Sequence, residues 1–170
     1  IAVVVAGIGA LAASSPVSAQ VTLPWFESFE GTSGETYTTT TTSLAGAPEW
    51  SFEPQASGRL RMAAGAGYYR SGTAAATLDR NPSGAVTTNF LTVTLDMTNY
   101  DASSDLILLD FSFMSHGEES HTNDRVWVRG SDTDAWIEVA DLNALTTATG
   151  VYFDQEDIDI TAALNGAGQN

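Results

Sequence analysis

Cysteine and lysine are missing altogether from the 170-residue chain, and histidine occurs only twice. Without cysteine there are no disulfides and no thiolate chemistry, so the core must hold the fold together. Without lysine the basic side chains are six arginines, set against 21 acidic residues, for a formal net charge of -15. That balance excludes the basic footprint needed to neutralise phosphates, so nucleic acid is not an expected partner, and an anionic membrane surface is disfavoured for the same reason. Excess carboxylate suits an extracellular setting where hard cations such as calcium are plentiful, and it also serves solubility. Helical periodicity is nearly absent too, which argues against any architecture built from helices.

An apolar run opens the chain. Residues 1–13 (IAVVVAGIGALAA) carry no charge, and Ser14, Ser15 and Pro16 then break any helix the run begins. Val17, Ser18 and Ala19 place small or β-branched side chains at the positions a signal peptidase reads, so cleavage is expected after Ala19. A bilayer span needs about 20 apolar residues, and this run is shorter, so the reading is export, with no membrane insertion of the mature chain. Neither Met nor a basic segment precedes Ile1, so residues 1–19 are read as a signal peptide incomplete at its N-terminus. Residues 20–170 are read as a single β-sandwich domain, because about 150 residues bury one sizeable core but not comfortably two. The loop-like ending Asn165 to Asn170 (NGAGQN) suggests a domain truncated at its C-terminus and belonging to a longer polypeptide.

Period-two alternation recurs between clusters of Gly, Pro, Asn, Asp and Ser. In Phe90 to Met97, Leu91, Val93, Leu95 and Met97 share one face, and Phe90, Thr92, Thr94 and Asp96 the other, as in a half-buried strand. Ile107, Leu109, Phe111 and Phe113 repeat the pattern, and Leu106 and Leu108 make the start of that strand apolar on both faces, as in the middle of a sheet. Arg125 to Arg129 and Ala135 to Ala140 read as two strands of a hairpin, joined by the turn Gly130 to Asp134. Shorter candidates are Trp25 to Glu30, with Phe26 and Phe29 directed into the core, Trp50 to Glu53, Arg59 to Ala63 and Ala74 to Asp79. The Thr-rich stretch Thr36 to Ser43 reads as a solvated loop or edge strand, with an O-glycan acceptor as the alternative, and Ile160 to Leu164 as a single helical turn. Short strands at this spacing predict an all-β fold, a two-sheet antiparallel sandwich.

From Phe26 to Leu164 the order FESFEG, a Trp, GRLRM, a Gly-rich stretch, AATLDR, a long alternating strand, LLDFSF and NDRVWVRGSDTDAWIEVADL resembles the MAM-like and cleaved-adhesin-like jelly-roll modules of secreted bacterial proteins. The resemblance implies a concanavalin-like sandwich used for adhesion or for binding carbohydrate and protein, often appended to enzymes and often with structural calcium. It implies no catalysis, and it implies that the closing C-terminal strands are missing here. By position in the FE-type segment it makes Glu30 the best calcium ligand, with Asp79 as partner; calcium takes about six to eight oxygens, so two carboxylates do not specify a site.

The residues alone offer further candidates. His116, Gly117, Glu118, Glu119, Ser120 and His121 hold both histidines beside two carboxylates, but the histidines stand at i and i+5, whereas a zinc-protease helix needs i and i+4. The segment reads as a polar connection, or else as a metal or ligand site that includes Asp124. Ser131 to Trp136 (SDTDAW) resembles a shortened Asp-box hairpin in which Asp caps turn amides and Trp packs beneath, with cation binding by Asp132 and Asp134 as the alternative. Trp127 and Arg129 lie on the phase opposite Val126 and Val128; exposed, they would stack on a sugar or another planar group, and buried, they would lie beneath a loop or a neighbouring domain. Tyr68, Tyr69 and Arg70 raise the same question on a Gly-rich loop. No G-x-S-x-G elbow is present.

These readings converge on a secreted, non-catalytic module that recognises glycan or extracellular protein through Trp127, Arg129, Tyr68 and Tyr69. Two alternatives remain: a β-sandwich polysaccharide hydrolase or lyase with its site among His116, Glu118, Glu119 and Arg125, and a structural spacer of a larger surface protein.

Overall fold

The computed structural model describes residues 2–7, 20–32, 34–63, 69–80, 88–101, 104–115, 124–145 and 148–169. The strands are β1 (Ala2–Gly7), β2 (Gln20–Thr22), β3 (Thr36–Tyr37), β4 (Trp50–Pro54), β5 (Gly58–Ala63), β6 (Ala75–Arg80), β7 (Asn89–Asp96), β8 (Leu108–Met114), β9 (Arg125–Arg129), β10 (Ile137–Asp141) and β11 (Tyr152–Asp159). Two short helices, α1 (Leu142–Leu145) and α2 (Ile160–Gly166), and a 3-10 turn at Glu30–Thr32 complete the described elements. The protein is thus mostly β, as its alternation predicts.

The strands form three sheets. The largest has six strands in the order β10, β9, β1, β7, β2, with β4 also paired to β7. Because β1 occupies one edge of β7, β4 and β2 share the other: β4 runs antiparallel along Asn89 to Val93, and β2 runs parallel along Thr94 to Asp96. A three-stranded sheet has the order β3, β5, β6, which places the start of the Thr-rich stretch at an edge, while Thr41 further along bridges Phe52 of β4. Strands β8 and β11 form an antiparallel pair of their own.

One core joins all three sheets. Trp50 and Phe52 of β4, Leu91, Val93 and Leu95 of β7, and Val126 and Val128 of β9 are buried with Leu60 and Met62 of β5. Leu109, Phe111 and Phe113 of β8 pack against them, as do Ile160 and Leu164 of α2. The helix is tied down at its first turn. Asp159 caps it by accepting from Ala162 N at 2.7 Å, Ile160 N donates to Ile107 O at 3.0 Å, and Thr161 Oγ1 accepts from Ile107 N at 2.8 Å. At the start of the chain fold, Trp25 and Phe29 rest on Trp50, with ring centroids 5.5 and 5.4 Å away.

Several expectations are corrected. Strand β7, expected to be half-buried, is buried on both faces from Asn89 to Val93: Leu91 and Val93 enter the main core, and on the other face Trp127 and Trp136 pack over Phe90. The strand expected in mid-sheet, β8, pairs only with β11 among the described residues, and Leu106 and Leu108 are exposed. Trp25 to Glu30 is not a strand. Its odd positions, Trp25, Glu27 and Phe29, are half-buried, so Phe26 falls on the outer phase and is 85% exposed rather than part of the core. The helical turn expected at Ile160 to Leu164 extends to Gly166. Strand β11 stands where no strand was expected. Strand β1, inside the run read as a signal peptide, lies in the six-stranded sheet, while residues 8–19 with the expected cleavage site are outside the described residues.

Candidate functional site

The β9 to β10 hairpin carries the densest group of expected site residues. Val126 and Val128 are fully buried on the core side, which puts Arg125, Trp127 and Arg129 on the other face. There Trp127 and Trp136, both half-buried, pack against Phe90, itself only 3% exposed, in a second apolar cluster separate from the main core. Glu138 stands directly across from Trp127 in the strand pairing. Its carboxylate lies 3.3 Å from Arg125 Nε, and Arg125 Nη1 donates to Asp141 Oδ1 at 2.7 Å. Trp127 therefore sits among paired charges rather than loose ones.

Arg129 has a different role from the one its position on the outer face suggested. It is buried, its Nη1 donates to Asp132 O and its Nη2 to Asp132 Oδ1, each at 2.9 Å, and its guanidinium carbon stands 4.3 Å from the centroid of Trp136. Two hydrogen bonds and a cation–π contact fix it as the anchor of the turn, so it is not offered to a ligand. Ser131 Oγ donates to Asp134 Oδ2 at 2.7 Å, and the Gln169 side chain bridges the hairpin by accepting from Gly130 N at 3.0 Å and donating to Ala135 O at 2.7 Å. Asp132 and Asp134 thus serve the turn.

Tyr68 lies outside the described residues, as does the segment His116 to His121. Tyr69 is half-buried, and its neighbour Arg70 is bound to Asp154 of β11, Nη2 to Oδ2, at 2.5 Å. Asp154 Oδ1 also accepts from Ser112 Oγ at 2.6 Å. The Arg70 guanidinium, with that hydroxyl, holds the Asp154 carboxyl below its ordinary value. Tyr69 is thereby tethered beside the two-stranded sheet, and Trp127 belongs to the six-stranded one.

The two carboxylates expected to share calcium are each engaged elsewhere. Glu30 accepts from Thr73 Oγ1 at 2.6 Å, from Thr73 N at 2.9 Å and from Ala74 N at 3.1 Å, and these bonds, the Thr73 hydroxyl first, lower its pKa. Asp79 takes Arg59 Nε at 2.6 Å and Nη2 at 2.9 Å, together with Arg61 Nε at 2.7 Å. The chain from Ala74 to Asp79 is extended and spans roughly 16 Å. Glu30 and Asp79 do not meet, and with two guanidiniums on Asp79 the pair does not fit a calcium site. Among the described residues, no group of three or more His, Cys, Asp or Glu is placed to hold a metal ion.

Comparison with family models, with curated proteins and with solved structures returns no match.

One carboxyl pair escaped the sequence reading. Glu27 and Glu49 share a hydrogen bond, and burial first, then the neighbouring Glu49, pushes the Glu27 pKa up even though its Oε1 accepts from Phe29 N at 2.5 Å. The signal was distributed over two distant segments, since only the docking of Trp25 and Phe29 on Trp50 brings Glu27 to Glu49. Phe90 was missed for a similar reason. Its phase in the strand marked it as solvent-facing, and only the packing of Trp127 and Trp136 identifies it as the floor of the aromatic cluster.

Proposed function

We propose that the chain is an exported, non-catalytic binding module, a two-sheet jelly-roll-like sandwich that recognises a glycan or an extracellular protein through the outer face of the β9 to β10 hairpin. The observation that carries this reading is the setting of Trp127. Its ring is half-buried on Phe90, so it is held rigid, and Glu138, with half of its side chain exposed, stands opposite it. A fixed indole offers a flat apolar face to the C–H groups of a sugar ring or to a partner's apolar side chain, and an adjacent carboxylate accepts hydroxyl or amide hydrogens. The export reading draws on the apolar run and on Val17 to Ala19. The jelly-roll reading draws on one core shared by several antiparallel sheets.

Glycan and extracellular-protein arrays probed with the full chain test this, followed by titration of any hit into Trp127→Ala and Glu138→Gln. Both variants are expected to weaken binding about tenfold or more, in line with the loss of a rigid aromatic anchor or of a charged hydrogen bond. Unchanged affinity in a folded Glu138→Gln protein and in Trp127→Ala would remove the hairpin from the account, and silence on both arrays would favour a spacer.

A further inference from the structure

The β9 to β10 hairpin is negatively charged. From Arg125 to Asp141 it carries two arginines against four carboxylates, Asp132, Asp134, Glu138 and Asp141, a net of two negative charges. Both arginines are committed within it: Arg129 is held by Asp132 and by Trp136, and Arg125 is shared between Glu138 and Asp141. Two carboxylates on one guanidinium leave a negative charge beside Trp127. Glu138 is where that charge is accessible. Half of its side chain is exposed, its Oε1 takes only the 3.3 Å contact from Arg125 Nε, and its Oε2 has no partner among the described residues.

The same hairpin shows what such a pair of groups holds. The Arg129 guanidinium carbon stands 4.3 Å from the centroid of Trp136 while Nη2 donates to Asp132, so a cation rests between an indole and a carboxylate. Trp127 and Glu138, directly opposite each other in the strand pairing, repeat that combination, and among the described residues no cationic side chain stands over the Trp127 ring. The apolar area around it is small. Among the described residues the exposed large hydrophobics are Phe26, Leu106, Leu108 and Val151, none of them in the hairpin. A stable protein interface needs about 800 Å² from each partner and several apolar anchors, whereas one indole face matches one sugar ring.

We infer that this face selects glycans with free amino groups, a cationic amino-sugar polysaccharide, with one ring lying on Trp127 and its ammonium on Glu138. The inference rests on the reading of the hairpin as the binding surface. A protonated amine on a sugar ring meets both groups at once, its charge attracted by the indole face and by the carboxylate. A neutral sugar uses only the stacking and a hydroxyl hydrogen bond. Long-range charge acts in the same direction. At a net charge of -15 the chain draws polycations to its surface and repels glycans bearing uronate or sulfate.

The test titrates the full chain with glucosamine oligosaccharides, with the same oligosaccharides N-acetylated, and with glucose oligosaccharides of equal length, at low and at high salt. The free-amine form is expected to bind about tenfold more tightly than the N-acetylated one, an advantage that shrinks in salt, since a hydrogen bond between charged groups is gained. Glu138→Gln is expected to erase the advantage, and Trp127→Ala to weaken every oligosaccharide that binds. Acetylating the ligand leaves the protein untouched, so that comparison stands even if Trp127→Ala does not fold. Equal affinity for the free-amine and N-acetylated forms would overturn the inference; if Trp127→Ala still weakened both, the hairpin would remain a glycan-binding face. An amine preference that survives in Glu138→Gln would overturn it too. So would a lysine homopolymer of equal charge that binds as tightly as the amino sugar, because net charge alone would then suffice. Binding of no oligosaccharide, with an extracellular protein still captured through Trp127, would overturn the amino-sugar inference and leave the hairpin as a docking face, whereas binding that no hairpin variant changes would remove both readings.

Discussion

Glu27 and Glu30, three residues apart, are displaced in opposite directions. Glu30 is surrounded by donors and its pKa falls; Glu27 is desolvated beside Glu49 and its pKa rises. A raised carboxyl pKa means that the folded state holds a proton the unfolded chain has already released, so stability declines as pH rises through that window. Glu27→Gln cannot ionise, keeps an oxygen for Phe29 N, and gains an amide donor toward Glu49. It is expected to be more stable than the parent at pH 7, by on the order of 0.5 kcal/mol after solvent screening. The advantage should vanish below the ordinary carboxylate range, and urea titrations at pH 7 and in acid would measure both. A variant less stable at pH 7 would mean that the carboxyl pair is not strained. Neither shift was readable in FESFE, because the cause of each lies in residues brought up from elsewhere, Thr73 and Ala74 for one and Glu49 for the other.

Individual strands show where local pattern suffices and where it does not. Gly58 begins β5 against Asn89 of β7, and a Cβ there would lie 2.0 Å from Asn89 Oδ1 and 3.0 Å from Pro54 Cβ. Asn89 is itself held, donating through Nδ2 to Asp79 O at 2.8 Å. Gly58→Ala is therefore expected to cost about 1–3 kcal/mol, the usual range for overpacking. Combined with Asn89→Ser, the loss should be less than additive by on the order of 1 kcal/mol, since the two sites touch; simple additivity in denaturation midpoints would place the clash elsewhere. The β9 to β10 hairpin was legible because its turn chemistry and alternation are both local. The ranks of β7 and β8 were not, since the number of neighbours a strand has depends on distant segments. Strand β11 escaped because Asp154, Glu156, Asp157 and Asp159 dilute its apolar pattern and a register shift between Gln155 and Ile158, with Asp157 at φ 59°, breaks its period. Of the site residues, the phase of Trp127 and Arg129 followed from the buried valines, but the capture of Arg129 by Asp132 and Trp136 required the folded turn.

Across the molecule, charge dominates. With a net charge of -15 and no disulfide, self-repulsion opposes the compact state at neutral pH. Added monovalent salt is expected to raise the melting temperature at pH 7 by about 2–4 °C for each kcal/mol of repulsion screened. Near the isoelectric point of about 4.1 the same salt should do little. At still lower pH the sign of the proton linkage changes: Glu30, Asp96 and Asp154 have depressed values, so the stability they contribute is complete above the ordinary carboxylate range and is lost as pH falls through their folded values. Melting curves that ignore salt at pH 7 would contradict this account. The tilted indoles of Trp25 and Trp50, 5.5 Å apart and inclined at 46°, have an optical consequence. Their transitions are close enough to couple, so the native protein should display an exciton couplet in circular dichroism that Trp25→Phe abolishes. Because Trp25 lies in the irregular segment laid over the core and Trp50 in β4, the couplet would fade when that segment peels away, ahead of any loss of the β-sheet band, and so would time the opening of this flank separately from global unfolding.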